Sequence, residues 1–320
     1  MKILSLTLGA TLVAGASAQD FDYTVPPSGE DKCALINVVM DESGSMWGDQ
    51  NFMKNTALPR MARELYNTTT YGYDHVFLCS TGFRDYYSGG QTTYARDLGC
   101  TVMTTTGGYK DSGVVAWTLA GYFEDGWHAM MTAMENVPSV IDSKNLLTTC
   151  KTIDKNLILV TDEDRDSHSA DTVTTVKDKI SANGYILNAI VNIVIDGTND
   201  NLGMKIDAGQ LNSLIFAGTD SNFTKTGNYT GYVTDFGTTH ADYSELIVGT
   251  DGAIWNIHSL RSGGPLTQRF ADTFVKVKVR VFTVHIHVGI RLPFSKPHNP
   301  SFLLSSQQLG CRDLYWLYHM

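Results

Sequence analysis

Several kinds of chemistry are missing from this sequence. There is no Gly-x-Ser-x-Gly elbow, no His-Glu-x-x-His and no glycine-rich phosphate loop, which removes the commonest serine-hydrolase, zinc-protease and nucleotide-binding signatures. His75, His128 and His168 have no convincing triad partners, and lone histidines are more often packing or surface residues. Beyond the N-terminus, no apolar run approaches the length of a membrane-spanning helix. Basic residues are outnumbered, 24 against 33 acidic ones, for a formal charge of −9 over 320 residues. That balance argues against a nucleic-acid partner and favours cation binding or plain solubility. None of the five cysteines, Cys33, Cys79, Cys100, Cys150 and Cys311, has zinc-site or Cys-x-x-Cys spacing, which argues against catalytic thiol work.

What is present begins with an export signal. Lys2, the apolar stretch from Ile3 to Gly15 and Ala16-Ser17-Ala18 have the charged start, short apolar core and small-residue exit of a secretory signal peptide, residues 1–18. An exported chain is expected to pair its cysteines with one left over. Export also makes the sequons at Asn67, Asn222 and Asn228 glycosylation candidates in a eukaryotic host. Residues 19–32, rich in Pro, Gly and acid, read as an exposed lead-in.

The central stretch is Asp41-Glu42-Ser43-Gly44-Ser45, which ends the apolar run Ala34 to Met40. Such a short, β-branched run predicts a buried strand. A carboxylate and two hydroxyls then alternate, with Gly44 allowing a tight turn on which the three oxygens converge, a donor set suited to a hard divalent cation. An ordinary Ser/Gly turn with a capping Asp or Ser accounts for the pentapeptide equally well.

Asp-x-Ser-x-Ser after a buried strand resembles the metal-ion-dependent adhesion motif of the von Willebrand factor type A (VWA) domain. The resemblance implies an α/β fold, an open doubly wound, mostly parallel, Rossmann-like sheet with helices on both faces, over residues 33–281. It implies a third metal ligand from the loop before a helix, where Glu124 and Asp125 stand, although helix capping explains both carboxylates as well. It also implies a last ligand directly after the strand Leu157–Val160, a place that Asp162 fills. An EF-hand starting at Asp162 fails, because its sixth and twelfth positions are Ser167 and Val173. On the same resemblance, strands near Cys79 and Cys100 are antiparallel neighbours and those after Cys33 and Cys150 parallel ones. Cys79–Cys100 and Cys33–Cys150 are therefore the implied disulfides.

Periodicity supplies the other elements. A helix is expected over Asn51–Tyr66, kinked or restarted at Pro59, and strands over His75–Cys79 and Cys100–Met103, joined by a Gly/Ser/Thr/Tyr-rich connection. Further helices are expected over Ser169–Ala182, Asp242–Val248 and Leu266–Val279, and strands over Tyr185–Val191 and Ala253–Ile257. Residues 196–240 read as a polar surface insertion. Residues 282–320 are assigned no role in such a fold and read either as a poorly ordered extension or as a gene-model artefact.

The function expected is a secreted, metal-dependent module that binds an extracellular protein or glycan, not an enzyme. It holds Mg²⁺ most simply, with Ca²⁺ and Mn²⁺ as alternatives. A metal-dependent hydrolase, with Glu163 as base, and a self-associating structural matrix or cell-wall component are the competing readings. With Asp41, Asp162 and one of Glu124 or Asp125 all ionised, the charge count makes the loaded site anionic, which favours metal retention over attraction of an acidic partner.

Overall fold

The computed structural model describes residues 31–67, 71–88, 91–110, 112–119, 121, 123–143, 150–166, 169–195, 201–206, 214–217, 223–225, 239–248, 250 and 252–284. The signal segment, Asn222, Asn228 and residues 285–320 lie outside them.

The chain runs β1 (Lys32–Asp41), α1 (Trp47–Phe52), a π-helical turn at Met53–Ala57, α2 (Leu58–Tyr66), β2 (His75–Ser88), β3 (Gln91–Val102), α3 (Gly126–Ser143) and β4 (Thr152–Val160). It continues through α4 (Val173–Ala182), β5 (Tyr185–Val191), β6 (Asn201–Lys205), β7 (Leu214–Ala217), β8 (Phe223–Lys225), α5 (Thr239–Ile247), β9 (Ala253–Asn256), α6 (Ile257–Arg261) and α7 (Gly264–Val284). The strands form one sheet in the order β3-β2-β1-β4-β5-β9-β6-β7-β8. The five strands β2, β1, β4, β5 and β9 are mutually parallel, and antiparallel strands flank them on both sides.

Every residue of β1 is buried, because helices cover both faces of the sheet. Ala34, Ile36, Val38 and Met40 pack with α1, α2, α6 and α7, whereas Leu35 and Val39 pack with α3, α4 and α5. That alternation is the period-two signature of a strand sandwiched in a doubly wound α/β fold. On the first face Trp255 meets Phe270 and Phe274 edge-on, with centroids 5.8 and 5.0 Å apart, which locks α7 onto β9.

The expected fold class stands, and several boundaries move. The polar connection after Cys79 is instead a long hairpin, β2 running on to Ser88 and β3 starting at Gln91. Thr and Tyr are good strand formers, and at this edge Arg84, Asp85 and Tyr86 are half exposed, so no apolar alternation marks it. Residues 196–240 are not only surface loop. They supply β6, β7 and β8, and Leu202 and Met204 reach opposite core clusters. Gly203 lies so close to Trp255 that a Cβ would come within 2.6 Å of the indole, so the β6–β9 pairing requires glycine there. The first helical stretch begins at Trp47 and absorbs Pro59 at the second position of α2, directly after the π-helical turn. Helix α7 extends past residue 281 to Val284. Both implied disulfides are present, Cys79 facing Cys100 across the β2–β3 ladder and Cys33 joined to Cys150 with Cα atoms 5.7 Å apart.

Candidate metal centre at the switch point

From β1 the chain crosses to β2 on one side, while β4 lies on the other, so the carboxyl ends of β1 and β4 flank a topological switch point. Asp41 ends β1, and Thr161-Asp162 follow β4. The two strands pair in register up to Met40 and Val160, which sets these residues side by side.

The Asp-x-Ser-x-Ser loop is closed by its own hydrogen bonds. The Ser43 amide donates to Asp41 Oδ1 at 2.7 Å, and Ser43 and Ser45 hydroxyls lie 3.1 Å apart. Thr161 Oγ1 donates to Asp41 Oδ2 at 2.8 Å, and Ser45 Oγ to Asp162 Oδ1 at 2.9 Å. Asp41, Ser43, Ser45 and Asp162 thus converge from segments more than a hundred residues apart.

Glu124 and Asp125 part company. The Glu124 amide and carbonyl bond Asp166, at 3.1 Å to its Oδ2 and 2.8 Å from its amide, and this docks Glu124 beside the Asp162 loop. Its side chain lines a cleft of about 410 Å³ together with Ser43, Ser45, Glu163, Asp164 and Asp166. Asp125 turns the other way. It accepts from the His128 amide as a helix cap, from Arg165 Nε at 2.8 Å and from the Ser169 amide and hydroxyl at 3.0 and 2.8 Å. Burial works against its charge, but Arg165 and these donors outweigh it and hold the carboxyl below its usual range. The capping alternative therefore describes Asp125, and Glu124 is the one at the cleft.

Burial and crowding hold the Asp41 and Glu124 carboxyls above their usual range. Burial, opposed by the Ser43 and Thr161 donors and aided by Asp162, pushes Asp41 up to about 7. Burial, then Asp41, Glu163, Asp166 and Asp162, push Glu124 up to about 8. Two carboxyls whose charge burial disfavours, beside the Ser43 and Ser45 hydroxyls, form a donor set that fits a hard divalent cation. Among the described residues, no three His, Cys, Asp or Glu side chains form a metal-holding group by themselves. Serine hydroxyls make up half of the converging set, and Asp162 is drawn elsewhere.

Three residues of this neighbourhood escape any local reading. Glu42, inside the motif, is fully buried and receives Arg96, Tyr86 and the Thr118 amide, tying the loop to the hairpin and to the segment before α3. Gly82 makes room for it, since a Cβ there would collide with the Glu42 carboxylate. Arg261, from α6, donates to Asp49 and, at 2.9 Å, to Asp162 Oδ2. A sequence signal exists only for Asp49, a carboxylate one turn beyond the motif. Beside the cleft, exposed Trp47 and Leu119 border a second one of about 370 Å³ lined also by Lys54, Val115 and Trp117.

No family model matches this chain, and no curated protein does. Solved structures of proximal thread matrix protein 1 from the mussel byssus are similar to it. One crystal form is 15% identical with a TM-score of 0.37, covering 78% of this chain and 46% of that one. Another is 18% identical at 0.31, covering 50% and 36%. A third, with its MIDAS motif occupied by zinc, is 13% identical at 0.39 and covers 78% and 46%. This chain thus spans less than half the length of that protein. At identities and scores this low, the architecture rests on the strand order and register of the sheet itself.

Proposed function

We propose that this chain is a secreted binding module that holds one divalent cation, Mg²⁺ foremost, with Ca²⁺ and Mn²⁺ fitting the same donors. Asp41, Ser43, Ser45 and Glu124 would hold it, with Asp162 in support through the Ser45 hydroxyl. Bound there, the ion would offer a positive, exchangeable coordination position toward the cleft, the chemistry by which a partner's oxygen donor is recognised. The observation that carries this reading is the pairing of the closed Asp41–Ser45 loop with a buried Glu124 carboxylate that has no ion-pair partner among the described residues. Exposed Trp47 and Leu119 beside it favour contact with an extracellular protein or glycan over catalysis. Two disulfides suit an oxidising compartment, in keeping with export. Asn67, exposed at the end of α2, is in place to carry a glycan, as the sequons at Asn222 and Asn228 would.

The test is thermal unfolding of the protein from residue 19 onward, in Mg²⁺, in Ca²⁺ and in chelator, beside Asp41→Asn. Cation at a hundred times its dissociation constant should stabilise the wild type by about 2.7 kcal/mol and leave Asp41→Asn unmoved. No shift, with no ion retained by elemental analysis, would discard the reading.

A further inference from the structure

We infer that Arg261 is a built-in counter-cation of this site, a positioning residue that holds Asp162 off the bound ion and thereby sets its affinity and its choice between Mg²⁺ and Ca²⁺. The inference rests on the metal reading above and goes beyond it.

The geometry is specific. Helix α6 follows β9 at once, and its last residue, Arg261, reaches back over α1. Arg261 Nε lies 3.2 and 3.0 Å from the two Asp49 oxygens, and its Nη2 lies 2.6 Å from Asp49 Oδ2, 2.9 Å from Asp162 Oδ2 and 3.3 Å from Met46 Sδ. The Asp49 side chain is fully buried, so the guanidinium cannot swing away without stranding that charge. Anchored there, it takes one oxygen of Asp162 while the Ser45 hydroxyl takes the other. Both Asp162 oxygens are thus committed. Asp41 and Glu124, by contrast, form no ion pair among the described residues, and the polar partners of Asp41 are neutral.

This changes the charge count that the sequence implies. Asp41 and Glu124 alone balance a divalent ion, and Asp162 is answered by an internal cation rather than by the metal. A third carboxylate at full strength would tighten the hold on any divalent ion. It would favour Ca²⁺ most, because Ca²⁺ accepts more oxygens in looser geometry than Mg²⁺ does. Arg261 therefore keeps the site modest in affinity and leaves room for a partner's own oxygen.

Calorimetric titration of the chelator-stripped full chain with MgCl₂ and with CaCl₂ tests this. The variants are Asp49→Asn/Arg261→Met, which removes the buried pair together and leaves no charge stranded at position 49, and the same background with Asp162→Asn added. Asp49→Leu/Arg261→Met, which replaces the buried pair by apolar side chains, stands in if that form does not fold. The double variant should bind Ca²⁺ about tenfold or more tightly than the wild type, with a smaller gain for Mg²⁺. Adding Asp162→Asn should erase that gain, while Asp162→Asn in the wild-type background should change affinity only about twofold. A double variant with wild-type or weaker affinity, or an unchanged Ca²⁺-to-Mg²⁺ ratio, makes Arg261 a purely structural residue and overturns the inference while leaving the metal reading intact. Absence of binding heat in the wild type overturns both.

Discussion

At the scale of single residues, the site is governed by carboxylates that lack or possess a positive partner among the described residues. Asp41 and Glu124 bind their protons more tightly folded than unfolded, since burial lifts them to about 7 and about 8. A raised carboxyl contributes stability that is full below its unfolded pKa and is lost as pH rises through the folded one. Chelator-stripped protein should therefore lose stability between about pH 5 and pH 8. Added Mg²⁺, which replaces those protons, should restore more at pH 8 than at pH 5. Unfolding midpoints measured across that range with and without the ion check this, and a stripped protein that grows more stable toward pH 8 would refute it. Glu42 is the opposite case, a buried carboxylate matched by Arg96. Arg96→Met should cost about 3 kcal/mol by leaving that charge alone, read as a lower denaturant midpoint, whereas Arg96→Met/Glu42→Gln should recover much of it.

At the scale of elements, the sheet depends on a few close approaches. Gly203→Ala should push β6 off Trp255 and destabilise the fold by about 1–3 kcal/mol, and near-ultraviolet circular dichroism would register the disturbed indole. An unchanged midpoint would mean the pairing is not fixed there. The elements legible in advance were those whose burial is total. Strands β1 and β5 and the apolar half of β4 read directly as short β-branched runs, because both faces of each are covered. The extension of β2 beyond Cys79 and of β3 before Cys100 into a hairpin, and β6, did not. Their residues alternate between water and core or sit among turn formers, and only the neighbouring strand makes them regular. The same division holds in the site. Asp41, Ser43 and Ser45 stand together in the chain, and Asp162 is marked by the strand before it. Arg261 meets Asp49 and Asp162 from 212 and 99 residues away, a relation that no local pattern encodes.

At the scale of the whole molecule, the bridge between Cys33 and Cys150 ties β1 to the approach to β4 across 117 residues, and the Cys79–Cys100 bridge lies wholly inside that span. Consider the chain pulled by its two ends. Tension entering at Cys33 crosses the sulfur bridge to Cys150 and never loads the intervening segment. Single-molecule extension of the oxidised protein should therefore fall short of that of the reduced protein by roughly 400 Å, and equal lengths would mean the bridge is absent. Asp41, Ser43, Ser45 and Glu124 all lie inside the shielded loop, whereas Asp162 and Arg261 lie on the stretch that bears load. A tug that peels away β4 and everything after it would carry off Asp162 and Arg261 first, and leave Asp41, Ser43, Ser45 and Glu124, the proposed oxygen donors, on one covalently closed ring.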